Sequence, residues 1–276
     1  EKTPDTQWTC QALGELALMK DRQGDFSGAI EAIEQCKTLQ RQWAEPYQAV
    51  AAKTEQRMRD LTGQITGDHL RRWRDEAAPF PAQRIALLTG FPRSGTTLLE
   101  QVLDAHPDLV SSEERDFIGK EMMRSLTTGQ GQKPLLEVLD DLRLTQVEPV
   151  RRRYLPAMAY VLGEPVVGRM HLDKNPAYNL TLPLVFRALP EMRLIIALRD
   201  PRDVVLSCYL RYLPLNSVSV TFLSPAETAR RFVLDMQLWL RLRGFLQAPW
   251  CEVRYEDSVS DLEQVARKAL DTLGLP

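Results

Sequence analysis

The sequence predicts a parallel α/β sheet flanked by helices, joined to an all-helical segment at its N-terminal side. Three observations predict it: short apolar runs that end in turn residues, amphipathic helices alternating with those runs, and an opening stretch of helical periodicity with no strand signal. Length agrees, because 276 residues exceed what one compact core needs and leave room for an appendage. Hydrophobic residues are 44% and charged residues 26% of the chain, which excludes disordered, collagen-like and purely coiled-coil chains. Lys and Arg number 35 against 37 Asp and Glu, a net charge of −2, so the basic excess of a general nucleic-acid binder is missing. No apolar run approaches the roughly 20 residues of a membrane-spanning helix. Cys10, Cys36, Cys208 and Cys251 are scattered without metal-type spacing, which supports neither a disulfide framework nor a zinc site.

Residues 1–78 read as helical throughout. Leu13, Leu16 and Ala17, then Ala29, Ile30 and Ile33, recur at helical spacing, and Gly24-Asp25-Phe26 marks a break between two helices. The small-and-large pattern around Gly24, Ala29 and Ile30 is similar to a degenerate tetratricopeptide repeat, and an antiparallel helix pair packed on the next domain fits equally. A lone repeat cannot bury its own face, so either more repeats precede it or the pair docks on the body of the protein. The chain opens at Glu1 without a Met or an export signal and ends at Pro276 directly after a helix, so both ends read as cut from a longer protein. With no export signal and no cysteine pairing pattern, the reading leans to a cytoplasmic protein, a trimmed Golgi-type catalytic domain being the alternative.

Residues 79–276 read as the α/β domain, its C-terminal end incomplete. After Pro79 and Pro81, Ile85-Ala86-Leu87-Leu88 is a buried parallel strand. It runs into Gly90-Phe91-Pro92-Arg93-Ser94-Gly95-Thr96-Thr97, followed by a helix with Leu98, Leu99, Val102 and Leu103 on one face that closes near His106-Pro107. Leu194-Ile195-Ile196-Ala197-Leu198 is a second strand, and Asp200 then caps a helix over 204–212 with Pro201 at its first position. Ser224-Pro225-Ala226-Glu227 opens a helix reaching Gly244. Cys251-Glu252-Val253-Arg254-Tyr255 is a third strand, and Ser260-Asp261-Leu262-Glu263 caps the last helix. Between the first and second strands lies a long, mostly helical stretch broken at 127–134, placed where a lid or acceptor wall would be built.

The informative unit is strand, Gly90-x4-Gly95-Thr96-Thr97, helix. That spacing makes a P-loop-like turn in which successive backbone N–H groups and a helix N-terminus converge on an anion, with the Thr97 hydroxyl beside them. A nucleoside triphosphatase has a lysine after the second glycine to reach the β- and γ-phosphates, whereas this chain has Thr96 there and a cation inside the loop, Arg93. A second anion site is readable where Arg199 leaves its strand, with Ser207 two helical turns later. Taken alone, Arg199, Asp200, Arg202 and Asp203 are equally a solvated charge cluster that caps a helix. Two anion sites at two strand ends suggest one ligand carrying two separated phosphate-like groups.

Phe91-Pro92-Arg93-Ser94-Gly95-Thr96-Thr97 resembles the 5′-phosphosulfate loop of sulfotransferases, and Arg199-Asp200-Pro201-Arg202-Asp203 with Ser207 resembles their 3′-phosphate motif. The likeness covers roughly residues 82–276 and is nearest the branch of protein-tyrosine sulfotransferases and bacterial tetratricopeptide-repeat sulfotransferases. It implies the donor 3′-phosphoadenylyl sulfate (PAPS), with Arg93, Ser94, Gly95, Thr96 and Thr97 on its 5′ end and Arg199 and Ser207 on its 3′-phosphate. It also accounts for the missing lysine, since no γ-phosphate and no obligatory metal ion need handling.

The same resemblance implies a general base at Glu114, in Ser111-Ser112-Glu113-Glu114, with Glu113 as the neighbouring alternative. A carboxylate is competent for that role when partial burial makes it more basic. Lys174, in Leu172-Asp173-Lys174-Asn175-Pro176, takes the place of a catalytic lysine that steadies the departing phosphate, and Arg93 stabilises the sulfuryl oxygens. His106 is a rival base that also reads as the end of the loop helix, and His171 reads as scaffold. Two departures loosen the acceptor assignment: Asp116 stands where the tyrosine branch often has arginine, and Asn175 where animal members tend to have aspartate. Arg151-Arg152-Arg153 could meet an acidic acceptor or form the wet face of a helix, and Tyr255 reads as structural. The acceptor is therefore a hydroxyl of a protein tyrosine, a glycan or a small alcohol. An atypical P-loop kinase and an inactive binding module are the competing classes.

Overall fold

The computed structural model describes residues 4–130 and 133–276. Glu1, and residues 131 and 132 of the break expected at 127–134, lie outside the described residues. The helices and strands run, in chain order, α1 (Pro4–Arg22), α2 (Phe26–Arg41), α3 (Glu45–Gln64), α4 (Gly67–Ala77), β1 (Ile85–Gly90), α5 (Thr96–Asp104) and β2 (Leu109–Ser111). Then follow α6 (Met123–Thr127), α7 (Leu135–Asp141), α8 (Leu144–Leu162), β3 (Met170–Lys174), α9 (Leu182–Ala188) and β4 (Arg193–Leu198). The last elements are α10 (Pro201–Tyr209), α11 (Pro225–Arg243), β5 (Trp250–Arg254), α12 (Tyr255–Ser260) and α13 (Leu262–Leu273). Among the described residues no helix is long and apolar enough to cross a membrane.

Spatial proximity groups these elements differently from the textural division at residue 78. Among the described residues, one compact unit comprises 4–59 with 200–236, the other 60–199 with 237–276. In the helical unit, the Asp25 carboxylate accepts a hydrogen bond from the Gly28 amide at 2.9 Å and caps α2, as its place after Gly24 leads one to expect. Cys10 and Ala17 of α1 meet Ala32, Ile33 and Cys36 of α2 in a core closed by Tyr209 at the end of α10. Polar side chains of α2 then satisfy carbonyls of segment 211–223, which ends in a short 3-10 helix over Ser219–Leu223. Lys37 Nζ donates to Arg211 O at 2.8 Å, Gln40 Nε2 to Leu213 O at 2.9 Å, and Arg41 Nη2 to Leu223 O at 2.6 Å. Leu16 and Ile30, which share the apolar periodicity, are 42% and 38% exposed, so the periodic stripe is wider than the face it buries.

The sheet unit holds five parallel strands in the order β2-β3-β1-β4-β5. β1 is fully buried, as its unbroken apolar run requires in a parallel sheet. It lies between β3 and β4, with Leu88 paired to both Lys174 and Ile195. The strand order reverses at β1, so the crevice beyond its carboxyl end is the place where such a sheet binds ligands. Ala86, Leu88, Leu172 and Ile195 of the strands pack against Leu99 and Leu103 of α5 and against Ala269 and Leu273 of α13.

β3 carries no apolar run, yet all five of its residues are buried. Met170 and Leu172 face the apolar core, while His171 and Asp173 alternate to the other face. There the Tyr154 hydroxyl of α8 donates to Asp173 Oδ2 at 2.9 Å and lies 3.2 Å from His171 Nδ1. Asp200 caps α10 through the Arg202 amide, and the helix ends at Tyr209 rather than at 212. Asp261 caps α13 through the Gln264 amide. Tyr255 opens α12 instead of ending β5. Arg151 is not a wet-face or acceptor residue: it is buried, bidentate to Glu191 at 2.7 and 2.9 Å, and stacked on Phe80.

Candidate active site

The candidate residues of the sheet unit stand at the carboxyl ends of its strands or just beyond. Arg93 follows β1, Glu113 and Glu114 follow β2, Lys174 ends β3, Arg199 follows β4 and Tyr255 follows β5. The turn after β1 depends on its glycines. A Cβ on Gly90 would lie 2.3 Å from the Ala197 carbonyl oxygen, so no side chain fits between β1 and β4 there. Gly95 has φ +91 and caps α5, and a Cβ on it would lie 2.6 Å from Tyr255 Cδ2. Arg93 takes a left-handed φ of 71, a conformation that costs a non-glycine residue about 1 kcal/mol or more. The first turn of α5, with Thr96 and Thr97, therefore opens at a strained loop whose amides have no intrahelical acceptor. Ser94 is buried, and its Oγ lacks a hydrogen-bond partner among the described residues. Such an orphaned hydroxyl fits an anion seated in the loop.

Arg199 shares this rim. Its Nη1 donates to the Arg93 carbonyl at 3.2 Å and its guanidinium lies 4.5 Å from the centroid of the Tyr255 ring. Tyr255 is thus a platform for the arginine as well as a wall against Gly95. Ser207 lies on α10 in the helical unit, half-buried.

Lys174 is the electrostatic centre of the strand tips. Its side chain is 4% exposed, and its ammonium contacts Glu114 Oε1 at 2.9 Å and Glu100 Oε2 at 3.2 Å. Burial pulls its pKa down, but the hydrogen bond to Glu114 and the charges of Glu100 and Glu114 more than offset that, leaving it above the usual lysine value. The two carboxylates differ sharply: the Glu114 side chain is 59% exposed and that of Glu100 only 5%. The partial burial expected of the base therefore falls on Glu100. Burial raises its pKa against the opposing pull of Lys174. Glu113, beside Glu114, has a left-handed φ of 48. These groups line a cleft of about 450 Å³ together with Thr97, Gln101, Asp104 and Ser111.

Behind Lys174, the buried Asp173 accepts from Tyr154 and from Asn175 Nδ2 at 2.5 Å, and burial pushes its pKa up to about 7. Burial pushes the adjacent His171 down to about 4. His106 Nδ1 accepts from the Asp108 amide at 3.1 Å, closing the turn after α5. Asp116, where the tyrosine branch often has arginine, accepts from the Gly119 amide at 2.8 Å and from the Tyr178 hydroxyl. Glu100 is the site residue that sequence reasoning missed. The available signal was a carboxylate on the buried face of α5, between Thr96, Leu99 and Leu103, where an isolated charge is costly.

Protein-tyrosine sulfotransferase 1 of Danio rerio is 25% identical over 213 residues, covering 67% of this chain and 58% of that protein. Protein-tyrosine sulfotransferase 1 of Homo sapiens is 24% identical over 194 residues, covering 60% and 52%. The chain thus spans a little over half the length of these curated relatives. Among solved structures, the sulfotransferase domain of the Synechococcus PCC 7002 olefin synthase is 22% identical with a TM-score of 0.49, covering 71% of this chain and 75% of that one. Residues 85–276, from the first residue of β1 to the end of the chain, match the profile described as the sulfotransferase family. That match takes in the whole sheet and every one of its strand-tip residues, and the chain belongs to the sulfotransferase family.

Proposed function

We propose that this protein transfers a sulfuryl group from PAPS to an acceptor hydroxyl. One observation carries the reading: Arg199 Nη1 lies 3.2 Å from the Arg93 carbonyl, so the two cationic loops share one rim, as a single nucleotide with phosphates at both ends requires. Arg93, Ser94, Gly95, Thr96 and Thr97 hold the 5′ end and its sulfuryl oxygens. Arg199 holds the 3′-phosphate, and the motif assigns Ser207 to the same phosphate. Glu114 takes the acceptor proton as the acceptor oxygen bonds to sulfur. The bond from sulfur to the 5′-phosphate oxygen breaks, its electron pair stays on that oxygen, and Lys174 meets the developing charge. Adenosine 3′,5′-bisphosphate is the second product.

A protein tyrosine is the first acceptor to test, because the curated relatives carry that activity in their names. One feature favours a second reading, transfer to a glycan or small alcohol. Glu100, Asp104, Glu113 and Glu114 line the cleft against the single cation Lys174, so an acidic peptide would meet like charge. Transfer of radiolabelled sulfate to a panel of peptides, glycans and alcohols decides between them. Arg199→Ala is expected to weaken binding of adenosine 3′,5′-bisphosphate, measured by calorimetry. Glu114→Gln is expected to keep that binding and lose transfer, and normal turnover in this variant removes Glu114 from the mechanism.

A further inference from the structure

We infer that Glu100 is a positioning residue of the transfer reaction, one that holds Lys174 in place as a cation while the acceptor proton neutralises Glu114. The inference rests on the transferase reading above and assigns a task to a residue which that reading leaves idle.

Lys174 has two carboxylate partners of different character. Glu114 is mostly exposed and follows the left-handed Glu113 on the loop after β2, a position from which its carboxylate can turn outward. Glu100 is buried in the middle of α5, between Leu99 and Leu103 of the sheet core, and has no such freedom. Once Glu114 has accepted a proton from an acceptor hydroxyl, on either of its carboxylate oxygens, it is neutral and no longer balances Lys174. A lysine this deeply buried cannot stay charged without a counter-charge. With Glu100 at 3.2 Å the counter-charge remains.

Charge balance supports the same division of labour. At rest the three groups carry two negative charges and one positive. Once Glu114 has taken the acceptor proton it is neutral, and Lys174 with Glu100 forms a balanced buried pair. Lys174 then keeps its hydrogens for the 5′-phosphate oxygen, on which the electron pair of the broken S–O bond resides. Other charges facing this group are few. Glu113 and Asp104 line the same cleft, and Asp173 lies on the opposite face of β3, tied to Tyr154 and Asn175. Glu113 and Asp104 make no ion pair with Lys174, and Glu100 is its only buried carboxylate partner among the described residues.

The test uses Glu100→Gln, with Glu100→Asp as the conservative control. The Gln variant should lose roughly tenfold to a hundredfold in kcat at unchanged affinity for adenosine 3′,5′-bisphosphate. The alkaline limb of its kcat–pH profile should move down by about one to two units, and Glu100→Asp should recover part of both effects. An unmoved alkaline limb, even with reduced activity, reduces Glu100 to a packing residue and overturns the inference. A second readout needs no turnover. Titration of the Lys174 side chain by NMR should show its pKa falling in Glu100→Gln relative to wild type. An unmoved Lys174 pKa overturns the inference whatever the activity. A wild-type protein that binds no bisphosphate sinks the transferase reading instead, and the NMR comparison still reads the Glu100–Lys174 coupling.

Discussion

Two buried lysines, one in each compact unit, show how differently this chain treats the same side chain. Lys37 of α2 is 1% exposed, and its ammonium donates to the Arg211 carbonyl at 2.8 Å. Burial is the dominant influence there and lowers its pKa to about 8. Lys174 is 3% exposed, but it faces two carboxylates and stands above the usual lysine value. Burial alone therefore does not set a lysine's charge. A neutral carbonyl supplies a hydrogen bond but little counter-charge, whereas a pair of carboxylates offsets the lost hydration. The first arrangement ties a helix to segment 211–223. The second maintains a buried cation at the tips of the strands.

The sharpest way to break the comparison is Lys174→Met. It should lower transfer by about 10²–10³-fold and destabilise the fold by about 3 kcal/mol, because Glu100 is left buried without its partner. Radiolabel transfer and urea unfolding measure the two effects. If stability is unchanged, the lysine–carboxylate group is not the buried ion pair described above.

A smaller effect is expected in alkaline solution, where the two lysines should act with opposite sign. Lys37 has a folded pKa depressed from 10.5 to about 8, so between these values the unfolded chain binds more protons than the native one. Stability supplied by Lys37 is full above 10.5 and is lost as pH falls through 8, so wild type should gain on Lys37→Met as pH rises across that window. Lys174 is raised above 10.5. Its contribution is present below that value and is lost as pH rises through the folded pKa, so wild type should lose its advantage over Lys174→Met there. Urea midpoints taken across the alkaline range give both slopes, and slopes of one sign would erase the distinction. The smallest effect is Gln40→Ala. This change removes one donor to the Leu213 carbonyl and should cost about 1 kcal/mol.

Much of the sheet was legible because its signals are local. β1 and β4 are unbroken apolar runs, and Gly90, Gly95, Asp200 and Asp261 announce turns and caps through chemistry that needs no distant partner. β2 and β3 were not legible. β2 has only three residues, and β3 hides a strand behind His171, Asp173 and Lys174, whose burial depends on Tyr154, Glu100 and Asn175. The base was expected at Glu114 through a motif, but the difference in exposure between Glu114 and Glu100 belongs to the packing of α5 against the sheet. Tyr255 illustrates the same limit. Its place at the end of Cys251-Glu252-Val253-Arg254-Tyr255 suggested a strand, and only the fold sets its ring against Gly95 and Arg199.

What the sequence by itself determined is the class of chemistry. A strand, a glycine-bearing turn with an internal arginine and a helix set out, from covalent geometry and backbone dipoles alone, the turn on which the proposed anion site stands. What the tertiary structure decided is the electrostatic state of that site. Glu100, Glu114 and Lys174 come from three separate elements, and whether each is charged depends on distances and on excluded water. Neither exists until the strands have paired and α5 has closed over them.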